Sequence, residues 1–503
     1  MSGNGNGNGT GIGTAPTLQA LTAELAVLRP RMEEVSRSIH ARPELKFAEF
    51  HAQDVLTGWL AESGFVVEAP VGGVETAFVA VHEGTDPGPY VAVLVEYDAL
   101  PGVGHGCGHN LIAAGGAAAA IAAVRALPDH PGTIAVIGTP GEEMGGAGKV
   151  LLAEAGVFAG VDAAVMFHPA DRSMTTQHAL AAAHLRAEFT GVSAHAAKSP
   201  WEGRSALAGA QLFLNALDSM RQFMPPTARV HGVVSDGGQA PNVVPARAVV
   251  DFYVRDSTAV SVGALVARVR KAAGGAAYAT ETTVRFSETG PLYAERRNNA
   301  VLAARFGATV RALGLEIGPG APDSPAGSSD IGNLSQLMPV IHPYIQTAAL
   351  GTPSHSTAMS EAGVRRFAHE RTRIAAIGLA RVVTDLVTEP EFLEAARSEF
   401  AAASGPGAGS DRPGAGGVGS DRLGAGGTAP SGPGTRPGSG SGERPAQAPG
   451  LRPAPGQSPV AARTPDATTT APTAGKTATA HTADAPATAS TADAPIAART
   501  LRA

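Results

Sequence analysis

The chain has 503 residues, of which 44% are hydrophobic, and its formal net charge is −6. This negative charge, with no cluster of basic residues, argues against nucleic acid or an anionic membrane surface as a partner. No run approaches the ~20 apolar residues of a membrane-spanning helix, and no secretory signal is visible, so we expect a cytoplasmic protein. The single cysteine, Cys107, excludes an internal disulfide and a structural zinc cluster built from cysteines.

Composition and patterning divide the chain into five parts. Residues 1–15, rich in Gly and Asn, and residues 402–503, rich in Gly, Pro, Ala, Ser and Thr, bury too little apolar surface to offset chain ordering. We predict that both are disordered. Helices and strands alternate over 16–185, which predicts an α/β domain with a mostly parallel sheet. A βαββαβ order over 186–290 predicts a smaller, ferredoxin-like α+β insert, after which the sheet domain resumes over 291–401.

The most distinctive segment is EYDALPGVGHGCGHN, residues 96–110, in which Cys107 lies between His105 and His109. The apolar run VAVLVEY predicts a buried strand that leads into it, and an alanine-rich run predicts a packed helix after it. The loop would then lie at the carboxyl end of a strand, where open α/β sheets build their sites. A free cysteine is most often a small buried apolar residue. Here glycines interrupt any apolar stripe and two imidazoles flank the thiol, which favours a metal site.

Further polar side chains fall at predicted strand ends or loops: Asp98 in EYDALP, Glu142 and Glu143 in GTPGEEMGGAG, His168 in AAVMFHP, and His355 in the PSHS loop. Taken singly, each has an ordinary alternative, namely a solvated carboxylate pair or a structural, hydrogen-bonding histidine. An α/β sheet would bring them to Cys107 and His109, which makes one Cys, three His and one Glu plausible ligands. This mixture suits a zinc- or manganese-type site, with one metal or two. One glutamate could bind metal while its neighbour takes a proton from water.

Several separate motifs occur in an order that is typical of one enzyme family: IHARPELKFAEF (39–50), the 96–110 loop, GTPGEEMGGAG, MFHP, GVSAHAAKSPWEGRSAL (191–207), APNVVPARA (240–248) and the PSHS loop. Over residues 20–390 the chain resembles the amidohydrolase branch of peptidase family M20, which contains hippurate, indoleacetyl-amino-acid and aminobenzoyl-glutamate hydrolases. The CGHNLIA and EYDALPG wording is most similar to the group of peptidase M20 domain-containing protein 2. Members of that group resemble dipeptidases acting on β-alanyl- or γ-aminobutyryl-type dipeptides of basic amino acids.

The resemblance implies two divalent metal ions, zinc or manganese first, with cobalt or nickel as alternatives. It implies the metal ligands Cys107, His109, Glu143, His168 and His355. Glu142 would be the general base that activates water and later protonates the leaving amine. Asp98 would orient one of the ligands from behind.

In the insert, the resemblance assigns a substrate-facing role to three residues. His195 would polarise the scissile carbonyl or stabilise its oxyanion, and in many relatives this histidine reaches the active site of a dimer partner. Asn242 would lie near the substrate carbonyl or carboxylate. Arg255 could pair with a substrate carboxylate, although a surface salt bridge is an equal alternative. The insert would serve as a lid and as the contact of a C₂ homodimer, or only as a lid.

The chain departs from the branch at two places. Many members have Asp-Met-Asp where this chain has Glu96-Tyr97-Asp98, and Asp where it has Asn110. These changes leave hydrolysis intact and leave substrate choice open. We expect a metal-dependent amidohydrolase or dipeptidase that cleaves the amide between an acyl or aminoacyl group and an amino acid, a small-molecule substrate. The alternatives are a non-catalytic or regulatory subunit on the same scaffold, and a structural zinc or redox protein built around Cys107.

Overall fold

The structure is a computed structural model that describes residues 15–321 and 327–403. The helices of this part are α1 (Leu18–Ala41), α2 (Phe50–Glu62), α3 (His109–Ala126), α4 (Gly148–Glu154), α5 (Ala206–Met220), α6 (Ala259–Ala279), α7 (Ala300–Ala312), α8 (Ile331–Leu334), α9 (Thr357–Ala362), α10 (Arg366–Thr388) and α11 (Pro390–Ala403). Its strands are β1 (Val66–Glu68), β2 (Phe78–Glu83), β3 (Asp86–Val95), β4 (Pro131–Gly138), β5 (Ala163–Val165), β6 (His168–Ala170), β7 (Ala181–Thr190), β8 (Arg229–Asp236), β9 (Arg247–Asp256), β10 (Thr283–Glu288), β11 (Val340–Ile341) and β12 (Tyr344–Gln346).

The predictions of disorder concern residues that lie almost wholly outside this described part. Ala15 is described, and α11 continues through residues 402 and 403. None of the helices in the described ranges combines the length and apolarity that a bilayer crossing needs.

The larger sheet has the strand order β1-β2-β4-β3-β5-β11. Strand β3 pairs in parallel with both β4 and β5, and β11 pairs in parallel with β5. Strands β1 and β2 are antiparallel, so the sheet is mixed. Only two residues connect β2 to β3, whereas a parallel connection needs a crossover of a dozen or more, so β2 must run opposite to β3. The α/β class predicted from the sequence is confirmed.

Helix α3 lies at the centre of the larger hydrophobic core, where it contacts α1, α10 and β3. Its alanines and glycines let it approach its neighbours closely. A Cβ atom on Gly116 would lie 2.5 Å from Val95 Cγ1, and one on Gly115 would lie 2.7 Å from Thr372 Cγ2. This close packing holds the first residue of α3, His109, against the end of β3.

The smaller sheet is antiparallel throughout, in the order β10-β7-β9-β8. Along the chain its elements follow one another as β7, α5, β8, β9, α6 and β10. Helices α5 and α6 pack on one face, around a second hydrophobic core that includes Phe189, Phe213 and Phe252. Strand β8 is an edge strand, and its side chains are mostly exposed.

The carboxyl ends of the parallel strands set the position of the site. Loops leave β3, β4, β5 and β11 at the same edge of the larger sheet, as expected for an open α/β sheet. A short parallel pair, β6 with β12, continues from β5 and β11 and aligns Tyr344 with His168.

Candidate metal centre

The loop after β3 carries a histidine held by a buried acid. His109 begins α3, and its Nδ1 lies 2.9 Å from Asp98 Oδ1, so that nitrogen donates to the carboxylate. Burial opposes protonation of His109, but the Asp98 charge outweighs it and raises the pKa of His109 well above its usual value. The arrangement leaves Nε2 to face the site. Asp98 Oδ2 also accepts a hydrogen bond from the Glu143 amide at 2.8 Å, so one carboxylate orients two predicted ligands.

Cys107 and His168 lie beside His109. Their ligand atoms and that of His109 all lie within 4.8 Å of one another. The Nδ1 atom of His168 is 2.7 Å from the carbonyl oxygen of Pro169, which leaves Nε2 for the site. Burial lowers the pKa of His168 to about 4, so the imidazole is neutral at neutral pH, the form that binds metal. Gly108, at φ +75°, passes so close to Pro169 that a Cβ there would lie 2.8 Å from that ring.

The loop after β4 contributes the two glutamates. Glu143 Oε1 is 3.9 Å from His109 Nε2, and its Oε2 is 3.7 Å from His355 Nε2. Cys107, Glu143 and His355 form a second group within 4.8 Å, and His109, Glu142 and Glu143 form a third. Because these groups share members, the structure brings all five predicted ligands and Glu142 into one cluster.

The donor atoms of this cluster fit divalent cations. Within the described ranges, three buried atoms lack a hydrogen-bond partner: Glu96 Oε2, His109 Nε2 and Glu143 Oε1. Nε2 of His109 is 3.4 Å from the Glu96 oxygen. Buried polar atoms without a partner are costly, and a cation at this point would satisfy them. The mixture of thiol, imidazole and carboxylate suits zinc or manganese better than calcium or magnesium.

Glu142 and Cys107 are both strongly perturbed by their surroundings. Burial, with the neighbouring Glu96 and Glu143 charges, raises the pKa of Glu142 well above its usual value. Burial also raises the pKa of the Cys107 thiol, which a bound cation would counteract by stabilising the thiolate. The site therefore has a carboxyl group that can hold a proton beside a set of metal ligands.

A buried ion-pair network that the sequence did not indicate lies behind the cluster. Lys149 is fully buried, and its Nζ donates to Glu96 and, at 2.7 Å, to Asp330 Oδ1. The Lys149 amide also donates to Asp330 Oδ2 at 3.0 Å. The ammonium group compensates for two of the carboxylates near the site. Asp330 comes from a distant loop with no recognisable motif, so only the fold could reveal it.

A cavity of about 870 Å³ opens onto the cluster. Its walls include Cys107, Glu142, Glu143, His168 and His355 from the larger sheet's side, and Tyr253 and Arg255 from the smaller sheet. Arg255 Nη1 donates to Ser328 Oγ at 3.0 Å, and its guanidinium lies 5.5 Å from the centre of the Tyr253 ring. Burial lowers the pKa of Arg255. The structure thus places Arg255 in the cavity wall.

His195 and Asn242 lie together, but elsewhere. The Ala196 amide donates to the Asn242 carbonyl at 3.0 Å, and His195 forms an isolated bridge with Val243. The exposed ring of His195 accepts hydrogen bonds at Nδ1 from the amides of Ala197 and Lys198, both at 3.2 Å. Among the described residues that line the cavity of this chain, neither His195 nor Asn242 is included.

The cavity wall has polar groups that the sequence analysis did not select. His342 lies just after β11, is 2% exposed, and finds no partner for either ring nitrogen in the described part of the chain. Arg296 is 7% exposed; its Nη2 donates to Tyr344 Oη at 3.2 Å, while Nε and Nη1 have no described partner. The strand-end position of His342 in MPVIHPYI is the same signal that selected His168 and could have found it.

Fold and site together define an α/β protein with a metal centre of mixed sulfur, nitrogen and oxygen donors. The sequence pattern described as "Peptidase family M20/M25/M40" matches residues 85–362. The chain belongs to this family and is a hydrolase acting on peptide or amide bonds.

Two curated relatives illustrate the similarity. The chain is 35% identical over 389 residues to the Xaa-Arg dipeptidase of Homo sapiens, which covers 74% of this chain and 88% of the relative. It is 32% identical to a p-aminobenzoyl-glutamate hydrolase chain of Escherichia coli (strain K12), over 74% of this chain and 92% of that protein.

Solved structures share the fold. A putative aminohydrolase from methicillin-resistant Staphylococcus aureus matches 74% of this chain and 100% of its own, with a TM-score of 0.61 and 21% identity. The Bacillus subtilis YXEP protein, described as a dinuclear metal binding peptidase of the M20 family, matches 72% of this chain and 99% of its own, with a TM-score of 0.56 and 21% identity.

Proposed function

We propose that this protein is a dinuclear metal-dependent dipeptidase or amidohydrolase that cleaves the amide between an acyl or aminoacyl group and an amino acid. The observation that carries this proposal is the set of overlapping donor groups, each within 4.8 Å, with Glu142 at the edge. The ligands would be Cys107, His109, Glu143, His168 and His355. Zinc and manganese are the first candidates because the donors include a thiol and three imidazoles, and cobalt and nickel are the alternatives.

Glu142 would move the proton that the reaction requires. Divalent cations supply Lewis acidity, which makes water a nucleophile near neutral pH and stabilises negative charge on the scissile carbonyl oxygen. The Glu142 carboxylate would accept the proton of the attacking water and deliver it to the leaving nitrogen. Its position supports this role, because it lies within 4.8 Å of His109 and Glu143 donor atoms.

The cavity walls favour a substrate with a free carboxylate. The guanidinium of Arg255 is half-buried and that of Arg296 is buried, and no acidic partner for either occurs among the described residues. A buried cation without a counter-charge is costly, and the carboxylate of an amino acid would offset it. By their names, the two curated relatives act on Xaa-Arg dipeptides and on p-aminobenzoyl-glutamate. A β-alanyl or similar dipeptide of a basic amino acid is the substrate class we propose to test first.

The smaller sheet and its helices would act as a ferredoxin-like lid and dimerisation domain over 186–290. Strand β8 is at the sheet edge, with Val233 64% and Val234 40% exposed, and an edge of this kind can pair with a second copy. In such a C₂ homodimer, His195 and Asn242 would reach the cavity of the partner chain and contact the substrate carbonyl or carboxylate. A free thiol as a ligand agrees with a reducing, cytoplasmic location.

A metal-reconstituted substrate screen tests the function. The metal-free chain would be loaded separately with zinc, manganese, cobalt or nickel and its metal content measured. It would then be assayed with β-alanyl-Lys and Xaa-Arg dipeptides, p-aminobenzoyl-glutamate, hippurate and acetyl-amino acids. We expect turnover of at least one class, abolished by chelation and restored by metal. Full metal loading without any turnover would contradict the proposal and favour a non-catalytic subunit.

A further inference from the structure

A segment before α2, residues 44–49 of the motif IHARPELKFAEF, lies directly against the loop that carries Glu142 and Glu143. It is joined to the end of β3 as well, because the Ala99 amide donates to the Glu44 carbonyl at 2.8 Å and Leu45 bridges Ala99 in parallel. None of the roles given above to the metal centre involves this segment.

Glu49 makes the central contact between the segment and the loop. Its side chain is fully buried, and its Oε1 accepts a hydrogen bond from the Gly141 amide at 2.9 Å. Its Oε2 accepts from Thr76 Oγ1 at 2.6 Å. Both carboxylate oxygens therefore have a fixed partner, and one partner is the amide immediately before Glu142. A carboxylate bonded to backbone N–H forms one of the stronger hydrogen bonds in proteins.

Two neighbours of Glu49 contact the same loop. The ring of Phe47 lies so close to Gly141 that a Cβ on this glycine would be 2.7 Å from Phe47 Cε1. Gly141 adopts φ +69°, a conformation that other residues rarely take. On the far side of the glutamate pair, Lys46 Nζ donates to the Met144 carbonyl at 2.8 Å.

These contacts bracket the two glutamates. The loop is held at Gly141 by Glu49, at the Glu143 amide by Asp98, and at Met144 by Lys46. Met144 and Ala147 have φ values of 56° and 59°, so the loop does not follow a regular helical path that would fix it by itself. Its geometry depends on bonds from outside.

We propose that Glu49 is a positioning residue for the hydrolytic site: by fixing the Gly141 amide, it sets the orientation of Glu142 and Glu143. The inference rests on the proposed function for its kinetic consequence, but not for its structural one. A small displacement of a base or ligand by a distant change can lower turnover strongly, because the catalytic groups must be held within a fraction of an ångström.

The test compares four variants. Glu49→Ala removes the bond to Gly141, and Glu49→Asp retracts the carboxylate by one methylene while keeping its charge. Glu49→Gln keeps a carbonyl oxygen for the Gly141 amide. Thr76→Val removes only the partner of the other oxygen. We expect Glu49→Ala and Glu49→Asp to lower kcat by about 10- to 100-fold with KM within about 2-fold, and Glu49→Gln and Thr76→Val to stay within about 3-fold of wild type.

Metal affinity, measured by calorimetric titration of the metal-free proteins, gives a readout that does not require activity. Because Glu143 shares the loop, we expect Glu49→Ala and Glu49→Asp to bind zinc or manganese about 10-fold more weakly, and Glu49→Gln to bind normally. If the wild type binds metal but hydrolyses nothing, the proposed function fails while this comparison still decides the role of Glu49.

Two results would overturn the inference. One is normal kcat and normal metal affinity in both Glu49→Ala and Glu49→Asp. The other is equal loss in Glu49→Gln and Glu49→Ala, which would show that the charge matters and not the bond to Gly141. If Glu49→Ala does not fold, as judged by circular dichroism, the Asp and Gln variants carry the comparison.

Discussion

Glu142 and Glu143 are adjacent in the chain but differ in what surrounds them. Glu143 faces His109 and His355, whereas Glu142 is absent from the groups that contain Cys107. We predict that Glu142→Gln lowers kcat by about 100- to 10,000-fold, the range that general base catalysis contributes, because the amide cannot accept the proton. Metal content, measured by atomic emission, should be unchanged. Near-normal turnover in this variant would exclude Glu142 as the base.

Cys107 is the one sulfur donor of the site. Its serine replacement has a similar shape but is a poorer ligand for zinc, because an alcohol is harder and less easily ionised than a thiol. We predict that Cys107→Ser binds zinc at least about 10-fold more weakly, the lower bound for loss of a group that only supports a ligand. Titration against a chelator of known affinity measures this, and unchanged affinity would remove Cys107 from the ligand set.

Glu49 also makes stability depend on pH. Burial, with a contribution from Asp98, raises the pKa of Glu49 from 4.5 to about 7. Between these values the folded protein holds a proton that the unfolded chain has released, so stability falls as pH rises from 4.5 to 7. Glu49→Gln removes this titration. In metal-free protein, the free energy of unfolding of the variant should therefore gain up to about 3 kcal/mol on wild type across this window.

Denaturant unfolding at several pH values between 4.5 and 8 measures the difference between Glu49→Gln and wild type. Glu154→Gln, at an exposed position, controls for the change in net charge. A difference that stays constant over the whole range would contradict the assigned shift.

At the scale of elements, α3 shows how close packing positions the site. We predict that Gly116→Ala destabilises the protein by about 1–3 kcal/mol, because its Cβ would lie 2.5 Å from Val95 Cγ1 in a filled core. Gly275→Ala, in α6, is the matched control: its Cβ would meet no described atom within 4 Å, and we expect stabilisation by about 0.5–1 kcal/mol. Thermal unfolding of both variants decides, and a neutral Gly116→Ala would show that the core can relax.

The elements that sequence could predict are those with local signals. Alternating apolar runs predicted the α/β class, and the strand-end rule selected His168 and the Glu142–Glu143 pair, which the structure brings together. The orientation of β2 was not predicted, because a run such as FVAVHE does not encode the direction of its neighbours. That direction follows from the two-residue connection to β3, which becomes visible only when both strand ends are known.

The charge network behind the site shows a different limit. Lys149 looks like the exposed start of a helix in sequence, yet it is fully buried between Glu96 and Asp330. Asp330 lies 181 positions from Lys149 and is followed by no motif. Pairs of this kind depend on the tertiary fold alone, so a single sequence cannot reveal them. The same holds for Arg296, whose neighbour Tyr344 is 48 positions away.

For the whole molecule, the open question is whether a single chain holds a complete site. The cavity contains the proposed base and ligands, but His195 and Asn242 lie on the exposed surface of the smaller sheet's unit. The edge strand β8, with its exposed valines, offers a surface through which a second copy could bring them to the cavity. The assembly should then have about twice the 50.4 kDa mass of the chain, which light scattering measures.

Complementation between two inactive variants tests this arrangement directly. Glu142→Gln and His195→Ala homodimers should each be nearly inactive, since every site would lack either the base or the carbonyl-binding histidine. After both are mixed, dissociated and reassembled in equal amounts, about half of the dimers are mixed. In each mixed dimer one site combines an intact Glu142 with an intact His195 from the other chain, so activity should recover to about one quarter of wild type. If His195 acts within its own chain, both sites of a mixed dimer carry one defect and mixing restores nothing. Val260→Lys, at a 77% exposed position of α6, should leave recovery unchanged, whereas Val233→Lys on β8 should prevent it by blocking the paired edge.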